Sequence, residues 1–181
     1  MKAVFDKFYD TYHQDLFQYI FYMVKDKETT EDLVQEVYIK VLKSYANFKG
    51  ESSEKTWLFS IARHVTYDYF RSLKRKRDRI FEFFDWNDKG DVIPDQSKLP
   101  DEIAEENDQI KQVYTYLNYC TLDQRNVIIL RYLQSFSIQE TAEILNFTVS
   151  KVKTTQHRAL KALKKAMLEN INGGGDANAT Q

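Results

Sequence analysis

Apolar residues recur at helical spacing along most of the chain, and they nowhere alternate with polar residues for the length of a strand. Glycine and proline, the strongest breakers, occur only at Gly50, at Gly90, Pro94 and Pro100, and at Gly173, Gly174 and Gly175. The pattern predicts an all-α protein: two helical domains joined by an acidic, flexible linker. The first domain, residues 1–79, is expected to hold helices over about 2–24, 30–47 and 53–76. Thr29 or Thr30 is the expected cap of the second helix, and Ser52 or Ser53 that of the third. The linker is expected over 80–107, and its aromatic start, "IFEFFDW", is expected to dock back on the first domain. The second domain, 108–170, is expected to hold helices over about 108–119, 123–133, 138–145 and 149–168. Two of these open on capping-box pairs, Thr121 with Gln124 and Ser137 with Glu140. Residues 171–181 lack an apolar anchor and read as a disordered tail.

The stripes assign faces. In the second helix Val34, Val37, Tyr38, Val41, Tyr45 and Phe48 make the inner side. Asp32, Glu36, Ile39 and Lys43 share the outer side with Gln35 at its edge, and an isoleucine among such charges suits a protein docking face. In the third helix Leu58, Ile61, Ala62, Val65, Tyr69 and Leu73 form the core stripe. Trp57, Ser60, His64, Tyr67 and Arg71 form a second stripe beside it. Rings interleaved with bases suit a platform for unstacked nucleotides, and "RSLKRKRDR" then supplies phosphate contacts. The same residues are consistent with rings that merely cap the core edge.

Near the C-terminus, "SIQETAEILNFTVSKVKTTQHRALKAL" reads as helix, tight turn, helix. Ile138, Ala142 and Leu145 face inward from the first helix, and Val149, Val152 and Leu160 from the second. Asn146 sits where the turn needs positive φ. Ser150, Lys151, Lys153, Thr154, His157 and Arg158 are left on the outer face, which is the arrangement of a major-groove reader. A helical hairpin with a solvated basic face is the alternative.

Charge sharpens this picture. The net charge of the 181 residues is −1, but Lys and Arg outnumber Asp and Glu by 15 to 12 over residues 1–79 and by 9 to 5 over 110–181. Over 80–109 the balance is 2 against 10. Two basic blocks flanking an acidic segment suggest an anionic partner for the blocks, with a solvated acidic linker and no partner as the alternative. His13, His64 and His157 are dispersed and Cys120 is the only cysteine, so no metal spacing exists and no disulfide is expected within the chain. No phosphate-binding loop or nucleophile motif occurs, so neither catalytic residues nor a cofactor are expected. No membrane span or signal peptide is read, and a cytoplasmic protein is expected.

The segment "EDLVQEVYIKVLKSYANFKGESSEKTWLFSIARHVTYDYFR" with the basic run after it resembles region 2 of bacterial sigma factors. "TLDQRNVIILRYLQSFSIQETAEILNFTVSKVKTTQHRALKAL" resembles their region 4, and the two together resemble the extracytoplasmic-function (ECF) group of the sigma-70 family. The resemblance implies a factor that binds core RNA polymerase, through the β′ clamp helices and the β subunit, and opens promoter DNA. It places polymerase binding on Asp32, Gln35, Glu36, Ile39 and Lys43. It places the −10 element on Phe48, Trp57, Ile61, His64 and Tyr67, with Arg71, Lys74 and Arg75 on the backbone. It places the −35 element on Ser150, Lys151, Lys153, Thr154, His157 and Arg158. It also implies an anti-sigma factor, often membrane-anchored, as partner of a chain that is a monomer when free. A dimeric helix-turn-helix regulator and a protein-only adaptor are the competing readings; neither needs both an aromatic stripe and an acidic docking helix.

Overall fold

The computed structural model describes residues 2–84 and 108–173, with side chains except those of 80–84, 109 and 170–173. The expectations for most of the linker and the tail, and for the docking of "IFEFFDW", lie outside the described residues.

Helix α1 (Lys2–Val24) ends at Lys25, whose φ of 61° turns the chain and whose N–H donates to the Phe21 carbonyl at 2.8 Å. Helix α2 (Lys27–Ser44) begins at once, and a 3₁₀ turn (Tyr45–Asn47) follows it. The cap of α2 is Asp26, not Thr29 or Thr30: its carboxylate accepts the Thr29 N–H at 2.8 Å, and that bonding holds the Asp26 carboxyl below the usual range. Asp26 satisfies an orphan donor one turn earlier than either threonine can, so α2 starts earlier than expected. Helix α3 (Glu54–Phe84) is capped by Ser53, whose hydroxyl accepts the Thr56 N–H at 3.0 Å. It continues through Phe84, well past the expected end near 76.

The second half comprises α4 (Asp108–Tyr116) with a 3₁₀ turn (Leu117–Tyr119), α5 (Leu122–Ile128) running into a π turn (Ile129–Leu133), α6 (Ile138–Leu145) and α7 (Val149–Gly173). Both capping boxes form, at Thr121 with Gln124 and at Ser137 with Glu140. Asn146 closes α6 in the left-handed region (φ 54°, ψ 45°), as its position predicts. A side chain with a Cβ that lacks the amide's local bonding costs about 1–2 kcal/mol there. Asn146→Ala is therefore expected to lower unfolding free energy by about 1 kcal/mol in urea titrations, whereas Asn146→Gly leaves it level or raises it slightly.

Phe8, Leu16, Tyr19, Ile20 and Tyr22 of α1, Val37 and Val41 of α2, and Leu58, Phe59, Ala62 and Val65 of α3 are buried. They form one continuous cluster with Leu117, Val127, Ile128, Ile129 and Phe136 of the second half. Each half is a helical unit, yet the two pack directly on each other. Two inner-face expectations fail in α7: Val149 and Leu160 are 38% and 43% exposed, whereas Val152 is buried as expected, together with Ala159 and Leu163. Alanine at 159 fits the close crossing with α5, which a bulkier side chain would prop open.

Candidate nucleic-acid interface

Thr148 caps α7 by accepting the Lys151 N–H at 3.1 Å. Val152 and Ala159, both at 0% exposure, pin the helix to α5 and α6. That anchoring leaves Ser150, Lys151, Lys153, Thr154, His157 and Arg158 all exposed on the outer side. The Lys151 ammonium lies 3.4 Å from the centroid of the Phe147 ring, which steadies it at the helix N-terminus.

The α3 stripe divides. Trp57 stands half-buried in an aromatic nest, its ring centroid 4.9 Å from Phe48, 6.0 Å from Phe8 and 6.1 Å from Tyr45. The core uses it, contrary to the expectation of a stripe left wholly free. His64 is exposed; its Nδ1–H donates to the Ser60 carbonyl at 2.7 Å, and its Nε2 lies 3.5 Å from Arg63 Nη1. Ile61 and His64 share a hollow of about 390 Å³ with Lys40, Lys43 and Ser44. Lys43, expected with the polymerase-docking group, thus stands beside two residues expected at the −10 element. Arg71, Lys74 and Arg75 are exposed on the solvent side of α3.

On α2, Asp32, Gln35, Glu36 and Lys43 are exposed and Ile39 is 52% exposed, as the stripe predicts. Beside them lies an apolar hollow of about 490 Å³ lined by Phe5, Tyr9, His13 and Tyr38 as well as Gln35 and Ile39. Sequence reasoning missed this hollow, although Phe5, Tyr9, His13 and Phe17 recur at i+4 along α1. Burial holds the His13 imidazole below its ordinary pKa.

Contacts between the halves were also unforeseen. The buried Tyr19 hydroxyl donates to Asn126 Oδ1 at 2.7 Å, and Arg125 Nη1 donates to the Met23 carbonyl at 2.8 Å. The π turn and the left-handed Ser135 (φ 59°) bring Phe136 edge-on to Phe59, with centroids 4.9 Å apart. Tyr67 is half-buried under the Arg63 guanidinium, and its hydroxyl donates to Asp123 Oδ1 at 2.6 Å. Burial, and after it the Asp123 carboxylate, push the Tyr67 phenol well above its ordinary pKa.

Lys25 donates to the Tyr114 carbonyl at 2.5 Å and lies 4.3 Å from the centroid of that ring. Burial first, and Arg125 second, push its pKa down from 10.5 to about 7, while the carbonyl and ring face work the other way by favouring the ammonium. Because the folded value lies below the unfolded one, the unfolded chain binds more protons between the two. The contribution of Lys25 to stability therefore rises with pH above about 7. Burial raises the Cys120 thiol, which offsets the rise above its ordinary 9.0, so the clearest window lies below that value. Urea midpoints are expected to increase from about pH 7 to about pH 8.5, and Lys25→Met is expected to remove the increase.

Among the described residues no cluster of metal-ligating side chains occurs, and no helix is long and apolar enough to cross a membrane. A helix-turn-helix with an exposed basic face, joined to a helical unit with a basic long helix and a separate acidic face, has the arrangement of a DNA-binding protein that also docks to another protein. Residues 8–76 match sigma-70 region 2, and residues 111–163 match sigma-70 region 4. Over 167 residues the chain is 58% identical to the ECF RNA polymerase sigma factor SigX of Bacillus subtilis (strain 168), covering 92% of this chain and 85% of that one. It is 33% identical over 159 residues to the RNA polymerase sigma factor YlaC of the same organism, covering 88% and 89%. Its fold resembles the sigma factor RpoE of Bartonella quintana solved with the anti-sigma factor NepR, with a TM-score of 0.65, 25% identity and coverage of 90% and 96%. It likewise resembles CnrH solved with the cytosolic domain of CnrY, with a TM-score of 0.65, 19% identity and coverage of 94% and 90%. The chain belongs to the ECF group of the sigma-70 family. Such factors are not enzymes; they bind core RNA polymerase, direct it to specific promoters and promote DNA melting for initiation.

Proposed function

We propose how that activity is divided along this chain. Residues 1–79 dock the polymerase and handle the −10 element, 80–107 link, 108–170 read the −35 element, and 171–181 are a tail. Asp32, Gln35, Glu36 and Ile39 meet the β′ clamp helices. His64 and Ile61, at the mouth of the hollow with Lys40 and Lys43, receive an unstacked base of the −10 element, and Phe48 and Trp57 form the wall behind them. Arg71, Lys74 and Arg75 follow the backbone. Ser150, Lys151, Lys153, Thr154, His157 and Arg158 enter the major groove. The observation that carries this division is the outer face of α7, where these six polar residues are exposed while Val152 and Ala159 on the opposite face are buried. The free protein is a cytoplasmic monomer. Its inhibitory partner is an anti-sigma factor, a reading supported by the NepR complex of the RpoE neighbour and by the apolar hollow beside Ile39.

Lys153→Ala and Thr154→Ala test the −35 assignment. Each is expected to weaken transcription from promoters with the preferred −35 sequence by about 1–3 kcal/mol of discrimination, with polymerase binding unchanged. Equal losses on every promoter sequence would reduce both residues to phosphate contacts.

A further inference from the structure

Helix α7 breaks a rule that the two helices before it keep. Helices α5 and α6 each open on a hydroxyl cap, followed three residues later by Gln124 or Glu140, whose side chain accepts the cap's own N–H. In α7 the cap is Thr148, and the residue three places on is Lys151. A cation in the first turn of a helix faces the positive end of the dipole and satisfies no orphan N–H, so local energetics disfavour it. A position that departs from its local rule points to a functional demand where the fold supports the departure.

Here the support is a ring. The Phe147 N–H donates to the Ala142 carbonyl at 2.9 Å, and the N–H of the left-handed Asn146 donates to the Glu143 carbonyl at 3.1 Å. Those two bonds are a Schellman closure, which seats the residue after the left-handed one against the helix it ends. Phe147 is accordingly half-buried and packed on the core. Its ring is a fixed platform four residues before Lys151, and the ammonium lies 3.4 Å from the ring centroid. A second contact of that ammonium, with Asp123 Oδ2 at 3.8 Å, is a partly exposed pair of little strength.

A lysine on a free stem is a mobile point charge that meets any phosphate within reach and carries no sequence information. One whose head rests on a seated ring has a direction. The first turn of a recognition helix is where side chains reach base edges. An ammonium held there donates to the acceptors that guanine presents in the major groove, O6 and N7.

We propose that Phe147 is a positioning residue for −35 recognition: its ring holds the Lys151 ammonium as a base-specific donor to guanine. The inference rests on the assignment of Lys151 to the −35 set, and the ring contact lies within the helix-turn-helix itself.

Proton NMR of the free full chain reads the platform directly. The Lys151 ε-methylene protons are expected upfield of those of the other lysines, shifted by the ring beneath them. Phe147→Tyr keeps the shift and Phe147→Leu removes it. Ordinary Lys151 shifts in the parent chain would overturn the platform without recourse to any variant. Transcription by the holoenzyme on a promoter panel, with each −35 base pair replaced in turn, reads the specificity. Lys151→Ala is expected to flatten a preference on the order of tenfold at one G·C pair. Phe147→Leu is expected to reduce the preference at that same pair to about twofold while the other pairs are read normally. Phe147→Tyr is expected to keep it, and Phe147→Leu combined with Lys151→Ala to be no worse than Lys151→Ala alone. A preference that survives Phe147→Leu, or a loss spread evenly over the panel with an early thermal melt, would leave Phe147 a residue of the fold only. If Lys151→Ala itself changes no preference, the −35 assignment of Lys151 fails and the positioning role falls with it.

Discussion

Reversing both charges in Asp32→Lys with Glu36→Lys is expected to abolish assembly with core RNA polymerase while the free protein keeps its fold. Both side chains are exposed on the outer side of α2, around the half-exposed Ile39. Among the described residues, Glu36 pairs along its own helix with Lys40, at 3.0 Å. An exposed i,i+4 pair contributes about 0.3–0.5 kcal/mol, so its loss is small. Interfacial charge pairs are different: removing one partner of a desolvated pair costs about 2–5 kcal/mol, and reversal adds repulsion. Size-exclusion chromatography with core polymerase, alongside a thermal melt of the free variant, separates the two effects. A variant that melts early would show that the face is structural.

Trp57→Ala is expected to destabilise the protein by about 2–3 kcal/mol, below the ~3–5 kcal/mol of a fully buried ring because Trp57 is only half-buried. It removes the ring that Phe8, Tyr45 and Phe48 all pack on. His64→Ala, by contrast, is expected to leave the melting temperature nearly unchanged and to reduce promoter opening. Extruding a base costs a few kcal/mol, and stacking on a ring returns ~1–3 kcal/mol, so one exposed ring can decide whether the strand opens. Permanganate reactivity of −10 thymines reads this on duplex and on pre-melted templates. The defect of His64→Ala should be rescued by the pre-melted bubble. Equal defects on both would assign His64 to strand capture or docking rather than to opening.

The surplus rings of α3 show where sequence stops informing structure. Periodicity separates Leu58, Ala62 and Val65 from the rest of the helix, and all three are buried. It is silent on Phe59, which is fully buried between Tyr19 of α1 and Phe136 from the other half of the chain. Tyr67 is likewise held by Asp123, 56 residues away. Local chemistry was legible where a signal is local: both capping boxes, the Ser53 cap and the left-handed Asn146 follow from neighbours within four residues. The Asp26 cap was missed because two threonines offered the same chemistry a turn later. In α7 Val152 is buried as its spacing suggests, but Val149 and Leu160 are not, and the small Ala159 takes the inner place instead. The exposed faces of α2 and α7 were legible because a face that packs on nothing keeps its polar sequence. The packing of one half on the other left no trace in period or composition.

The division of labour along the chain is tested most directly by photo-crosslinking in a single promoter complex. A benzophenone side chain replaces His64 in one sample and Thr154 in another, and each is assembled with core polymerase on the same duplex. The account predicts crosslinks from position 64 to the non-template strand at the −10 element, appearing as the complex opens. From position 154 it predicts crosslinks to the −35 element, present before opening. Crosslinks from both positions to one element, or from position 64 to intact duplex alone, would contradict it.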